Sequence, residues 1–104
     1  MKYPLNLPFI TKYEKKFVND VLKKNWISVN GEYNKIFENK FGKIINKKYN
    51  LSVQSGTAAL HLALKALNIK EKDYVLCPNY SCSANINSIS QVRAKPILIE
   101  VENE

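Results

Sequence analysis

The chain of 104 residues is 45% apolar and carries a net charge of +7, with 16 lysine and arginine residues against 9 aspartate and glutamate residues. This length allows one domain at most, the apolar fraction is too high for a disordered tail, and no run approaches the roughly 18 apolar residues of a membrane span. Because residues 1–6 also lack the features of a secretory signal, we expect a cytoplasmic protein without a membrane segment, whose Cys77 and Cys82 are reduced thiols.

Two amphipathic helices are predicted in the first half of the chain. Thr11 and Glu14 have the spacing of a capping box, in which each side chain hydrogen-bonds a backbone amide at a helix start. A second helix is predicted from about Glu32 to Asn46, after an extended connection. The apolar residues that recur at helical spacing are Phe17, Val18, Val21 and Leu22 in the first helix and Ile36, Phe37, Phe41, Ile44 and Ile45 in the second.

From Tyr49 onward the pattern changes to alternating strands and helices. The predicted elements are a strand over Tyr49, Leu51 and Val53, a helix from Thr57 to Leu67, a strand from Tyr74 to Cys77 ended by Pro78, a helix from about Cys82 to Val92, and a strand from Ile97 to Val101. Each crossover holds one helix, so the strands should be parallel. The sequence therefore predicts an α/β fold, with two helices followed by β-α-β-α-β.

The helix from Thr57 to Leu67 is apolar around most of its circumference. Only a narrow polar stripe interrupts it, formed by Thr57, His61, Lys65 and Asn68. Such a helix must be covered on several sides, and three strands and two helices provide little cover. We therefore expect a partner surface, from another subunit or from further chain, and we interpret His61 as a member of the stripe rather than as a catalytic base.

A phosphate site is predicted where the first strand meets its helix. Ligands of open parallel sheets bind beyond the carboxyl ends of the strands, and a helix start presents free amides to an anion. Gly56 would let the backbone approach a ligand closely, with Ser55 and Thr57 supplying hydroxyls. An ordinary helix cap with a turn glycine explains the same residues. The glycines and the lysine of a Walker loop or a dinucleotide fingerprint are absent.

Two other classes of site receive less support. Cys77 and Cys82 have no further clustered ligands, so no metal site is predicted. The whole excess of positive charge lies in residues 1–50, which could indicate a nucleic-acid partner. However, fifteen of the sixteen basic residues are lysines, whereas base readout favours arginine, and solvated helix faces explain them better.

Several ordered segments together resemble one known family. They are Ser55 to Leu64, Asp73 to Pro78, Ala94 to Val101, and the earlier Trp26 to Gly31 and Phe37 to Phe41. Taken in their order along the chain, these segments resemble the DegT/DnrJ/EryC1/StrS aminotransferases. These are pyridoxal-phosphate enzymes that aminate nucleotide-linked keto-sugars for surface polysaccharides or antibiotics. The resemblance implies the amino-terminal part of the large domain of a fold-type I transferase. Residues 1–48 would be its amino-terminal helical segment and residues 49–104 the start of its cofactor-binding α/β domain, in one incomplete domain.

The resemblance also implies roles for individual residues. Gly56 and Thr57 would contact the cofactor phosphate, with Ser55 as a weaker candidate. Cys82 stands where the family has an aromatic ring that stacks on the cofactor, and Tyr80 could help to line that pocket. Asn87 matches a recurrent asparagine of the family, for which a structural role and a substrate contact are both open.

The sequence departs from the family at three places. Lys72 and Arg93 stand where glycines are usual, which changes the local turns. The Schiff-base lysine, the acidic partner of the pyridinium nitrogen and the rest of the phosphate site would all lie beyond the equivalent of Glu104. None of the fifteen lysines, Lys65 included, matches that lysine, so no catalytic residue is assigned and the chain alone is expected to be inactive.

Three hypotheses about function follow. In the first, the complete enzyme is a cytoplasmic homodimer that takes nitrogen from a donor such as glutamate and transfers it to a nucleotide-linked keto-sugar, with no metal, membrane or nucleic-acid partner. In the second, a small α/β module binds a phosphorylated ligand at Gly56 and Thr57 without chemistry. In the third, the basic first half binds nucleic acid with a steep salt dependence.

Overall fold

The computed structural model describes residues 7–102 and divides the chain into two compact units, Met1–Ser52 and Val53–Glu104. The predicted α/β class is confirmed, with four helices and a two-stranded parallel sheet. Among the residues described, no helix has both the length and the apolar composition needed to cross a membrane. The elements in chain order are α1 (Lys12–Lys23), α2 (Glu32–Ile44), α3 (Gly56–Ala66), β1 (Tyr74–Pro78), α4 (Ala84–Gln91) and β2 (Lys95–Ile99).

The first unit contains α1 and α2, which begin as the sequence predicts. The capping box at α1 is confirmed: Thr11 Oγ1 accepts a hydrogen bond from Tyr13 N–H at 3.1 Å, and Glu14 Oε2 accepts one from Thr11 N–H at 2.7 Å. The two helices are joined by polar contacts, because the Tyr33 hydroxyl donates to Asp20 at 2.7 Å and Lys24 bridges Asp20 and Glu32.

The structure corrects the strand predicted over Tyr49, Leu51 and Val53. Residues 49–53 form no strand, because no ladder partner for them exists among the residues described. The backbone N–H of Ser52 is instead taken by a side chain of α2, since Glu38 Oε1 accepts from Ser52 N–H at 2.8 Å and from the Ser52 hydroxyl at 2.9 Å. Alternating apolar residues indicate an extended chain, but a strand also requires a neighbour for its amides.

The Glu38 contact predicts a measurable pH dependence. The backbone N–H of Ser52 and then its hydroxyl hold the pKa of Glu38 below its usual 4.5. The carboxylate contact therefore stabilises the first unit above pH 4.5, and that stabilisation is lost as the pH falls through the lower pKa of the folded state. A carbon-detected NMR titration should give a midpoint below 4.5 for Glu38. Ser52→Ala, which keeps the backbone donor, should raise that midpoint only part of the way, and a midpoint at the usual value in the parent chain would contradict the contact.

The second unit contains α3, β1, α4 and β2. The strands pair in parallel from Tyr74 opposite Lys95 to Pro78 opposite Ile99, as predicted for the last two strands. Strand β2 starts and ends two residues earlier than the apolar run indicates, because the parallel pairing ends with Pro78 opposite Ile99 and Asn79 N–H donates to Ile99 O at 2.9 Å. The buried apolar core is small and consists of Cys77, Ile89, Val92 and Ala94.

Helix α3 remains largely uncovered by the residues that the structure describes. None of its residues is buried, and Leu60, Leu62 and Leu67 are exposed. Helix α3 packs against α4 on one side, and its exposed apolar side chains agree with the expectation that α3 needs a further partner surface.

All four helices end in the same way, with a residue of positive φ two positions after the last helical residue. Its N–H and that of the next residue bond back to carbonyls of the last turn, which is a Schellman motif. At α3, for example, Asn68 N–H bonds Lys65 O at 2.9 Å and Ile69 N–H bonds Leu64 O at 3.0 Å. The residues with positive φ at these ends are Asn25, Asn46, Asn68 and Arg93, with φ of 52°, 52°, 59° and 62°.

Two of the left-handed positions carry unsuitable side chains. Lys72 has a φ of 80° and Arg93 a φ of 62°, and these are the two sites where the family resemblance implies glycine. We expect Arg93→Gly and Lys72→Gly each to raise the free energy of unfolding by about 1 kcal/mol, because glycine removes the steric cost of this conformation. Urea unfolding measures the change. Asn68→Gly is the matched control and should raise the free energy of unfolding by less, because asparagine tolerates positive φ. A loss of stability in Arg93→Gly would contradict the explanation.

Candidate functional site

The amino terminus of α3 leaves two backbone amides free. Ser55 is the N-cap residue, and its Oγ accepts from Ala58 N–H at 3.2 Å while its carbonyl accepts from Ala59 N–H at 3.0 Å. The N–H groups of Gly56 and Thr57 have no hydrogen-bond partner among residues 7–102. No acidic side chain lies in the first turn, so the positive end of the helix dipole is uncompensated there.

The space beside Gly56 is open. A Cβ added at this position would meet no other atom within 4 Å. The backbone of Gly56 does not have positive φ, so the conformational freedom of glycine is not used here. Neither local packing nor backbone conformation therefore requires a glycine, whereas an anion approaching the two free amides would need that space.

A side chain of α4 contacts this turn from the protein interior. Ser88 has no exposed surface, and its Oγ lies 2.7 Å from Ala84 O in its own helix and 3.1 Å from Thr57 O in α3. The single hydroxyl proton is shared between these two carbonyls. Sequence reasoning missed this residue, because only the packing of α3 against α4 brings Ser88 to Thr57.

The other predicted site residues lie in the loop between β1 and α4. Tyr80 is 89% exposed and Cys82 is exposed, and α4 begins at Ala84, two residues later than predicted. The loop is held by Asn85, whose side-chain amide donates to Ser81 Oγ at 2.8 Å. No hydrogen bond joins Tyr80 or Cys82 to residues 55–57, and their roles stay predictions.

The remaining polar candidates do not gather into a catalytic group. His61 is half-buried, and its Nε2 is shielded from solvent without a hydrogen-bond partner in the described part of the chain. All the lysines from Lys12 to Lys95 are exposed, Lys65 included. Within residues 7–102, no three His, Cys, Asp or Glu side chains converge in a metal-binding arrangement. Both cysteines are free thiols.

The first unit has a concavity of its own, which contains none of the predicted site residues. Its volume is about 740 Å³, and Trp26, Lys24 and Glu32 line it. Lys24 is already paired with Asp20 and Glu32. Lys35 also lines the cavity, so two lysines and one carboxylate face it, and this concavity stays separate from the free amides of α3.

Comparison with known proteins gives a consistent result. The model of the DegT/DnrJ/EryC1/StrS aminotransferase family matches residues 8–104. GDP-perosamine synthase of Escherichia coli O157:H7 is 44% identical over 105 residues, which cover 100% of this chain and 29% of that protein.

Solved structures agree with this match. The aminotransferase from Psychrobacter cryohalolentis superposes with a TM-score of 0.85 at 31% identity, covering 93% of this chain and 25% of that one. The E. coli GDP-4-keto-6-deoxy-D-mannose-3-dehydratase with bound hydrated pyridoxal phosphate gives 0.82 at 27% identity, covering 96% and 27%. The chain thus spans between 25% and 29% of the length of these three relatives.

Proposed function

Because the chain belongs to the DegT/DnrJ/EryC1/StrS aminotransferase family, we propose that it is part of a pyridoxal-phosphate enzyme that transfers an amino group to a nucleotide-linked keto-sugar. The observation that carries the proposal is the pair of free amides at Gly56 and Thr57 at a helix start, with open space where a Cβ of residue 56 would lie. The relative GDP-perosamine synthase favours a GDP-linked sugar, and an amino donor such as glutamate would supply the nitrogen. The complete enzyme would act as a homodimer in the cytoplasm.

The residues present fit the phosphate group of the cofactor. The N–H groups of Gly56 and Thr57 would donate to phosphate oxygens, and the Thr57 hydroxyl would add a third donor. Ser55 Oγ accepts from Ala58 N–H, which leaves the hydroxyl proton of Ser55 free to donate as well. The cofactor, when bound, supplies an electron sink for carbanion chemistry, while these residues hold and orient it.

The loop after β1 would form the side of the pocket. Cys82 would lie where relatives place an aromatic ring, and Tyr80 would line the pocket beside it. A thiol offers less stacking surface than an aromatic ring, so the phosphate contacts at α3 would carry a larger share of cofactor affinity in this protein.

A reduction experiment tests the prediction that no lysine of this chain forms the Schiff base with the cofactor. We expect the 104-residue chain, incubated with pyridoxal phosphate and borohydride, to give no stoichiometric adduct at a single lysine, because every described lysine is exposed and none lies in a desolvated site. Peptide mass spectrometry should find only low labelling spread over several lysines. A stoichiometric adduct at one position, such as Lys65, would contradict this prediction.

The proposed function is tested with a chimera. In it, the 105 matched residues of the E. coli O157:H7 GDP-perosamine synthase are replaced by this chain. We expect the chimera to bind pyridoxal phosphate, with the absorbance change of the bound cofactor, and to form GDP-perosamine with glutamate as donor. The same relative without these residues is the control and should do neither. A folded chimera that binds no cofactor would contradict the proposed function.

A further inference from the structure

We propose that Ser88 is a positioning residue for the phosphate turn, which we define as Ser55, Gly56 and Thr57; the proposal rests on the function proposed above. Ser88 is the one buried polar side chain among residues 7–102. Its hydroxyl reaches Thr57 O at 3.1 Å although Ala84 O, at 2.7 Å, already satisfies it within α4. The buried hydroxyl therefore does not need the carbonyl of Thr57 as a hydrogen-bond partner, which points to another role for this contact.

A chain of hydrogen bonds runs from Ser88 to the phosphate turn. The Thr57 carbonyl that accepts from Ser88 belongs to the same peptide group as the N–H of Ala58, and that N–H donates to Ser55 Oγ at 3.2 Å. Donation to one end of a peptide group polarises it and strengthens the donor at its other end. The bond from Ala58 fixes Ser55 Oγ, so that the hydroxyl proton of Ser55 points away from the helix, toward a bound phosphate.

The burial of Ser88 makes this arrangement rigid. Its neighbour Ile89 forms the small core of the second unit together with Cys77, Val92 and Ala94. The Ser88 hydroxyl is thus fixed by the most buried part of the unit and transmits that position to an otherwise exposed turn. Affinity for the phosphate group should depend on Ser88 even though Ser88 does not touch it.

The test compares two ligands in the chimera, pyridoxal phosphate and pyridoxal, which lacks the phosphate. We expect Ser88→Ala to weaken pyridoxal phosphate binding about three- to tenfold, as expected for one hydrogen bond. Pyridoxal affinity should be unchanged, and kcat at saturating cofactor should be unchanged because the phosphate is held equally in the ground and transition states. Ser88→Thr keeps the donor and should restore most of the affinity, once its added methyl group is accommodated at this buried position, whereas Ser88→Cys is somewhat larger than serine and donates weakly.

A double variant checks the route through Ser55. In a Ser55→Ala background, Ser88→Ala should cause no further loss of affinity, because the last member of the chain of hydrogen bonds is gone. Equal losses for pyridoxal and pyridoxal phosphate, or an unchanged Kd in Ser88→Ala, would overturn the inference while leaving the proposed function intact. If Ser88→Ala does not fold, Ser88→Cys provides a second variant that lacks the strong hydroxyl donor. A parent chimera that binds neither ligand would overturn the proposed function and this inference with it.

Discussion

Replacing Gly56 by valine is expected to weaken pyridoxal phosphate binding strongly in the chimera while leaving the fold intact. The added side chain would occupy the open space beside the free amides of Gly56 and Thr57, where the phosphate must approach. One or two hydrogen bonds from backbone amides to a charged group would be lost, and each contributes about 1.5–3 kcal/mol. This corresponds to a reduction in affinity of at least about tenfold per hydrogen bond. Spectrophotometric titration with the cofactor measures the loss.

Two variants separate the loss of the ligand from any loss of structure. Gly56→Ala adds one methyl group at a helical position without positive φ, so it should raise the free energy of unfolding by up to about 1 kcal/mol while weakening cofactor binding. Ala63→Val, at an exposed position further along α3, adds the same β-branched side chain away from the turn and should leave cofactor affinity unchanged. Cofactor binding by Gly56→Val with the parent affinity would place the phosphate elsewhere.

Gly56→Ala should stabilise the protein, but the same exchange at Gly42, in α2, should destabilise the first unit. Gly42 is buried in α2, and its added Cβ would lie 2.8 Å from the backbone carbonyl of Lys47, with the Asn50 side-chain amide closer still. A helical Gly→Ala exchange ordinarily stabilises by about 1 kcal/mol, but overpacking against backbone costs about 1–3 kcal/mol. We expect a net loss of up to about 2 kcal/mol in urea unfolding.

Asn50 supplies a control for that prediction. Its amide donates to Lys47 O at 2.9 Å, so Asn50→Ala removes one obstacle to the new methyl group but also removes a hydrogen bond. The double variant Gly42→Ala, Asn50→Ala should therefore recover only part of the loss, because the Lys47 carbonyl remains. Full recovery would show that the flexible side chain alone opposes the methyl group, and a Gly42→Ala protein as stable as the parent would contradict the packing.

Local signals in the sequence were enough to place most elements. The capping box at Thr11 set the start of α1 correctly, because a cap depends on residues within one turn, and α3 begins one residue before the predicted Thr57. The strand at residues 49–53 and the shift of β2 could not be predicted in this way, because both depend on which distant backbone groups are available as partners. The repeated helix ends at asparagine carried a readable signal that the sequence reasoning did not use.

The candidate site likewise contains residues that local sequence signals predict and residues that depend on contacts between distant elements. Residues 55–57 were predicted together as a turn before a helix start, whereas in the structure Ser55 is the N-cap of α3 and Gly56 and Thr57 are its first two residues; their roles stay predictions. Ser88 was missed, because its role depends on the contact between α3 and α4, which sequence spacing does not show. Only the family resemblance made Cys82 and Tyr80 candidate site residues. Their side chains are exposed in the loop after β1.

The asparagines at the ends of α1, α2 and α3 show how a chain with few glycines can end its helices. The chain contains three glycines but is rich in lysine, asparagine and isoleucine, whose codons are rich in adenine and thymine, whereas glycine codons begin with two guanines. Asparagine is, after glycine, the residue that best tolerates a left-handed backbone. Asparagine can therefore stand in place of glycine at helix ends at little cost in stability, whereas Arg93 at the end of α4 carries the steric cost of a positive φ.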